Sequence, residues 1–150
     1  MKICPLLCIL LMGCHPHFKA RITKVIDGDS FYISTGGEVR LSGCDAPENT
    51  RGHFQQYGPE AKQFAVQHLQ GRVVSFEQTG IDQYGRLVCK ISADENDFGT
   101  LLVQAGLAWV YRGYGESKLY SAQLTARRNK TGLWAGMHPV PPFVFRHQNK

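Results

Sequence analysis

The chain is 150 residues long, 43% hydrophobic and 19% charged, with a formal net charge of +5 and a pI near 9.0. That length supports one domain with a real core and not two, and the hydrophobic share excludes wholesale disorder. The positive charge favours a polyanionic partner without identifying one, because many exported proteins are basic and bind no nucleic acid.

At the N-terminus, Lys2 precedes Ile3 to Met12, ten residues that are apolar apart from Pro5 and include two cysteines. The stretch is too short to span a bilayer and fits the core of an export signal. Leu11-Met12-Gly13-Cys14 resembles a bacterial lipobox, so residues 1–13 read as a lipoprotein-type signal peptide, with Cys14 as the lipidation site and a means of membrane attachment. An ordinary cleaved signal is the alternative. Either one implies export, to the cell envelope through a lipid anchor or to a secreted or periplasmic state. Cys4 and Cys8 would leave with the signal, so Cys44 and Cys89 remain in the folded part. They are either bridged, as an oxidising compartment permits, or two separate buried residues. There is no CxxC and no zinc-type Cys/His spacing. The six histidines are scattered without ligand-like pairing and read as surface or packing residues.

Residues 14–20 read as a linker. Arg21 to Ile26 and Ser30 to Ser34 are β-rich, with Asp27-Gly28-Asp29 as the bend between them. Thr35-Gly36-Gly37 is a hairpin turn into a third strand, Glu38 to Cys44. Residues 46–58, with Pro47, Gly52 and Gly58, read as a long exposed loop, a kind of segment that is often functional. Pro59 suits a helix first turn, and Ala61, Phe64, Ala65, His68 and Leu69 then share one face until Gly71 stops it. Arg72 to Thr79 and Arg86 to Ala93 are two more strands around a turn at Gly80 to Gly85. Helices are expected near Gly99 to Ala105, closed by Gly106, and over Ser117 to Lys130, closed by Gly132-Leu133-Trp134. Trp109 and Trp134 read as packing residues. The tail, residues 137–150, is Pro-rich and reads as extended. Five strands interrupted and followed by helices suit an α+β fold built on a five-stranded, closed Greek-key barrel of the OB type.

The chemistry gathers at strand ends. Asp27 and Asp29, then Asp45 and Glu48, are acidic groups at the margins of apolar, strand-like runs, and Arg40 lies between them. Carboxylates in such settings need water, a cation or a donor, so the cluster suggests a hard-cation site with a base beside it. Arg86 arrives with Asp82-Gln83-Tyr84-Gly85-Arg86. Carboxylates, a cation and two arginines are the parts that hydrolyse a phosphodiester, whose transition state gathers charge on its equatorial oxygens. Taken singly, each motif is ordinary: Asp27-Gly28-Asp29 would be a plain turn, and Arg40 and Arg86 solvated strand arginines.

Six segments in order resemble the staphylococcal nuclease family over residues 21–134: Val25-Ile26-Asp27-Gly28-Asp29-Ser30, Arg40-Leu41 through Glu48, Tyr57-Gly58-Pro59-Glu60-Ala61, Asp82 through Arg86, Gly106-Leu107-Ala108 and Gly132-Leu133-Trp134. The tail Pro141-Pro142-Phe143-Val144-Phe145-Arg146 resembles the ending of many bacterial members. The resemblance implies an OB-fold barrel with three helices over residues 21–136. It also implies a Ca²⁺-dependent endonuclease, a monomer acting on DNA and RNA and leaving 3′-phosphate ends. By the same resemblance Asp29 and Asp45 are metal carboxylates and Ala46 supplies a main-chain carbonyl to the metal. Glu48 serves the attacking water, and Arg40 and Arg86 bind phosphate. Tyr84 lies near a substrate phosphate and Tyr114 flanks the bound nucleotide. Arg112 occupies the place of a second family tyrosine, with Tyr111 nearby, and Gln123 stands where a glutamate is common. The rival readings are a non-catalytic OB-fold protein of the envelope that binds single-stranded nucleic acid, and an interaction protein that uses the fold as a scaffold.

Overall fold

The computed structural model describes residues 15–50, 52–114 and 116–149. The signal peptide expected over residues 1–13 and the lipidation site at Cys14 lie outside the described residues. Five strands make the barrel: β1 (His17–Val25), β2 (Ser30–Ile33), β3 (Glu38–Leu41), β4 (Val73–Ile81) and β5 (Leu87–Ala93). They lie in the order β3-β2-β1-β4-β5 through antiparallel pairs, and a parallel pairing of β3 with β5 closes the ring. The expected five-stranded OB-type barrel is therefore present, and closure leaves no open edge among these five strands.

Alternation along the strands builds the core. Ile22, Phe31, Val39, Phe76 and Ile91 point inward and are fully buried. Phe31 meets Phe98 edge-on, with ring centroids 6.1 Å apart, and so joins the barrel to the second helix. Among the described residues four helices surround the barrel: α1 (Gly58–Leu69), α2 (Phe98–Gln104), α3 (Ser117–Arg128) and α4 (Pro142–Gln148). Asp97 caps α2 by accepting the Thr100 N–H at 2.8 Å. Gly132–Ala135 forms a single 3₁₀ turn.

Three features differ from the expectation, and one open alternative, that of the two cysteines, is decided. The first strand begins at His17, inside the stretch read as a linker, because it pairs with Ser75 to Glu77 and Phe18 stacks on Phe76 at 4.9 Å. The third strand ends at Leu41, where Gly43 takes a φ of +80°. Cys44–Asp45 then leaves the barrel and pairs with Trp109–Val110 in a separate two-stranded ladder. The tail is not extended throughout, since it forms α4. Pro141 and Pro142 fall at the helix start, where the missing N–H costs nothing and the fixed φ suits the first turn. Cys44 and Cys89 are free, buried thiols and not a disulfide. Among the described residues no helix is long and apolar enough to cross a membrane.

Candidate active site

The bend after β1 is built so that Asp29 faces inward. Asp27 accepts the Asp29 N–H on Oδ1 at 3.1 Å, an Asx-type turn that sets the direction of the chain. Between them Gly28 is pinched: a Cβ there would stand 2.7 Å from the Cβ of Ala46 and 2.9 Å from that of Ala61. The close approach of three chain segments, not a positive φ, is what demands glycine. It brings α1 and the strand exit at Ala46 against the bend, so that Asp29 Oδ2 accepts the Ala46 N–H at 2.6 Å.

Arg40 joins the two aspartates. Its Nη1 donates to Asp29 Oδ1 at 2.8 Å and its Nη2 to Asp45 Oδ1 at 2.5 Å. Asp29 is 1% exposed and Asp45 3% exposed, so both carboxylates lie at the floor of the site and the guanidinium is their link to the cleft above. Burial pushes the Asp29 carboxyl well above the ordinary aspartate range; Arg40 pulls it down, and Asp27 and Asp45 add to the rise. Burial also opposes the charge on Arg40, but Asp29 and Asp45 outweigh it and raise its pKa.

Asp45 is aimed by the ladder that its strand makes with Trp109–Val110. Gln123 of α3 braces this ladder, accepting the Val110 N–H at 2.8 Å. Glu48 follows on the loop into α1. Gln55 pins it by accepting the Glu48 N–H on Oε1 at 3.2 Å and donating its own backbone N–H to the Glu48 carbonyl at 2.9 Å.

A cleft of about 770 Å³ opens over these groups, a size that admits a nucleotide. It is lined by Arg40, Glu48, Arg86, Tyr84 and Tyr114, so the barrel brings five of the expected site residues to one cavity. Asp29 and Asp45 reach it through Arg40, and Ala46 lies beneath it against Asp29. Arg86 donates from Nε to Asp82 at 2.7 Å and from Nη1 to Glu38 at 2.9 Å. Burial lowers its pKa, and these two carboxylates more than reverse that. Tyr84 is 75% exposed, with the Arg86 guanidinium 5.5 Å from its ring centroid. The Tyr114 hydroxyl lies 3.3 Å from the Ser42 hydroxyl, and a side chain at Gly43 would collide with the Tyr114 ring. Tyr111 lines the cleft as well, whereas Arg112 lies over Phe143 of α4 at 5.4 Å.

Arg146, part of the tail motif, had no site role in the sequence reading. Arg146 of α4 donates from Nη1 to Glu48 at 2.6 Å and from Nη2 to Asp45 Oδ2 at 2.9 Å. Burial lowers its pKa, and the two carboxylates outweigh that. The motif Pro141 to Arg146 was visible, but no local signal ties an arginine to carboxylates 98 and 101 residues away.

Among the described residues no three His, Cys, Asp or Glu side chains are arranged to hold one ion. Asp29 and Asp45 are oxygen donors that lie together on the Arg40 guanidinium, too few by themselves to fill a cation's coordination shell. Asp29, Asp45 and Glu48 pair with two guanidiniums, those of Arg40 and Arg146, and the charge of Asp27 also acts on Arg40. That excess of carboxylate suits a hard divalent cation whose remaining ligands are main-chain oxygen and water.

Residues 38–136 match the model of a family described as staphylococcal nuclease homologues. The matched segment includes Arg40, Asp45, Ala46, Glu48, Tyr84, Arg86 and Tyr114, while Asp29 precedes it and Arg146 follows it. The chain is 32% identical over 149 residues to an Escherichia coli protein named as an uncharacterized endonuclease, covering 96% of this chain and 90% of that one. It is 30% identical over 135 residues to an uncharacterized endonuclease of Haemophilus influenzae, covering 87% of this chain and 74% of that one. A micrococcal nuclease of Shigella flexneri is 27% identical over 148 residues, covering 89% of this chain and 83% of that one.

Proposed function

The chain belongs to the staphylococcal nuclease family and is a nuclease of that family; from this premise we propose that it is a Ca²⁺-dependent endonuclease cleaving DNA and RNA to 3′-phosphate ends. The observation that carries the proposal is the single guanidinium of Arg40 bridging Asp29 and Asp45 beneath a cleft that also holds Glu48 and Arg86.

In this reading Asp29, Asp45 and the main-chain carbonyl of Ala46 hold the cation. Held there, a Ca²⁺ ion would supply Lewis-acid chemistry toward a phosphoryl oxygen. Glu48 orients the attacking water and takes its proton. The rigid bonds from Gln55 support that task, since a base must stay within hydrogen-bond reach of the proton it removes. Arg40 and Arg86 receive the equatorial oxygens of the phosphorane-like transition state through forked N–H bonds that an ammonium cannot reproduce. Tyr84 attends a neighbouring phosphate, and Tyr114 flanks the sugar and base. Release of the 5′-oxygen leaves phosphate on the 3′ end.

Digestion of plasmid DNA and of RNA with Ca²⁺, and again with chelator, tests the proposal. Chelator-sensitive internal cleavage and 3′-phosphate products are expected. Nucleic acid that is bound but never cut would return the chain to the non-catalytic reading.

We also propose that the protein acts outside the cytoplasm as a monomer, anchored through lipid on Cys14. The support is the sequence Leu11-Met12-Gly13-Cys14 after an apolar stretch. Mass spectrometry of the mature N-terminus decides it: a diacylglyceryl-modified cysteine is expected, and an unmodified terminus elsewhere would overturn the anchor.

A further inference from the structure

Arg146 occupies the two carboxylates that the proposed reaction needs most. Its Nη1 lies 2.6 Å from Glu48 Oε1 and 3.1 Å from Asp45 Oδ1, and its Nη2 lies 2.9 Å from Asp45 Oδ2. Arg40 already donates to Asp45 Oδ1, so both oxygens of Asp45 are engaged by guanidinium groups. A calcium ion ligated by Asp45 would sit about 2.3–2.6 Å from one of those oxygens. The Arg146 charge would then lie within a few ångströms of a divalent cation on an almost fully buried carboxylate, where like charges repel. The two cannot share Asp45 in this arrangement.

Of the two arginines, Arg146 is the one able to yield. The Arg40 side chain is 19% exposed and rises from a barrel strand; the Arg146 side chain is 38% exposed on a seven-residue helix. Helix α4 is held to the body by few contacts. Gln55 Nε2 donates to the Val140 carbonyl at 2.5 Å just before it, and Arg112 covers Phe143. Within the helix only Pro142 is buried. Such an element opens locally at small cost.

We propose that Arg146 is a tethered stand-in for the cation, closing Asp45 and Glu48 in the metal-free protein, and that cation binding expels it and loosens α4. The proposal rests on the reading of Asp29 and Asp45 as cation ligands. It makes the C-terminal helix a latch: the metal-free enzyme keeps its base neutralised and Asp45 engaged, and Ca²⁺ must compete with a covalently attached guanidinium.

The test is calorimetric titration of Ca²⁺ into the full chain, in the absence of nucleic acid, for the wild type, Arg146→Ala, Arg146→Gln and Asp29→Asn. Removing the competitor should tighten Ca²⁺ binding roughly tenfold in both Arg146 variants, the scale expected for a half-exposed ion pair. Hydrogen exchange of the wild type supplies a readout free of any substitution: amides of residues 142–149 should exchange faster when Ca²⁺ is added, while those of α1 and α3 do not. Ca²⁺ binding that depends on Asp29 but is equal or weaker in the Arg146 variants would overturn the latch alone, as would unchanged or slower exchange over residues 142–149. Ca²⁺ binding that is absent throughout, or that survives Asp29→Asn, would overturn the cation reading and the latch with it.

Discussion

Gln55 and Glu48 are joined by two hydrogen bonds, the Glu48 N–H donating to the Gln55 side chain at 3.2 Å and the Gln55 N–H donating to the Glu48 carbonyl at 2.9 Å. The remaining amide nitrogen of the buried Gln55 side chain reaches Val140 ahead of α4. One glutamine thus fixes both the proposed base and the approach to the helix that carries Arg146. Gln55→Ala should cost about 1 kcal/mol in urea unfolding, because two partly buried backbone groups, the Glu48 N–H and the Val140 carbonyl, lose a partner. Its kcat should fall several-fold with little change in KM, since the base loses its support while the phosphate-binding groups remain. An unchanged kcat would show that Glu48 needs no such brace.

The close packing at Gly28 makes a sharper contrast. An added Cβ would overlap the side chains of Ala46 and Ala61, and these belong to separate segments that cannot both retreat. Gly28→Ala should destabilise the fold by about 1–3 kcal/mol and weaken Ca²⁺ binding by shifting Asp29. Gly80→Ala is the control, for a Cβ there meets nothing within 4 Å. Ala61→Gly in the Gly28→Ala background should restore part of the loss. Chemical denaturation of the four proteins checks the series.

The bend at Asp27-Gly28-Asp29 and the five barrel strands were legible because their signals are local: an Asx turn, alternating apolar residues and glycine-marked hairpins. The helix starts at Pro59 and Ser117 were legible for the same reason. The exit at Leu41 was not, because the pairing of Cys44–Asp45 with Trp109–Val110 spans over sixty residues and is only two residues long on each side. The strand start at His17 was hidden by its dependence on Phe76 across the sheet. Two adjacent prolines read as extended chain unless they begin a helix, and what holds that helix in place is Arg146 meeting carboxylates far away in sequence. Long-range electrostatics leaves no periodicity to read.

Arg40 and Arg86 each spread their nitrogens over two carboxylates, and a lysine cannot span either pair. Arg40→Lys and Arg86→Lys should each lower kcat by about 10²–10³-fold in Ca²⁺-supported digestion. They should differ in stability. Asp45 keeps Arg146, but Arg40→Lys leaves the buried Asp29 without a guanidinium partner if the ammonium stays with Asp45, and should cost several kcal/mol, roughly 3. The partners of Arg86 are partly solvated, so Arg86→Lys should cost under about 1 kcal/mol. Equal losses of stability would contradict the burial that separates the two sites.

The thiols report on packing directly. Burial pushes the Cys89 thiol up to about 11 and the Cys44 thiol well above the ordinary range, so neither is ionised near neutral pH. Peptide mass spectrometry after alkylation at pH 7.5 should find both unlabelled in the native protein. Both should label fully in urea without reductant. Labelling that required a reductant would reveal a disulfide and contradict the separate thiols of the fold.

Asp82 gives the turn before β5 a pH dependence whose sign can be worked out. Desolvation nudges its carboxyl upward, but hydrogen bonds from the Arg86 side chain and from the backbone of Arg86 and Tyr84 outweigh it and hold the pKa below the usual 3.8. A carboxylate with a depressed folded-state pKa binds fewer protons in the native than in the unfolded chain. Its contribution is therefore present above pH 3.8 and is lost as the pH falls through the lower folded value. Asp82→Asn should thus be less stable than the wild type at neutral pH, by at most about 1 kcal/mol for a partly solvated pair. The gap should close as both are unfolded at progressively lower pH, and should narrow in high salt because the pair is screened. The same substitution removes one of the two carboxylates that hold Arg86, so kcat/KM should fall several-fold at pH values where stability is unaffected. A stability gap that widened on acidification would reverse the assigned sign and detach Asp82 from Arg86.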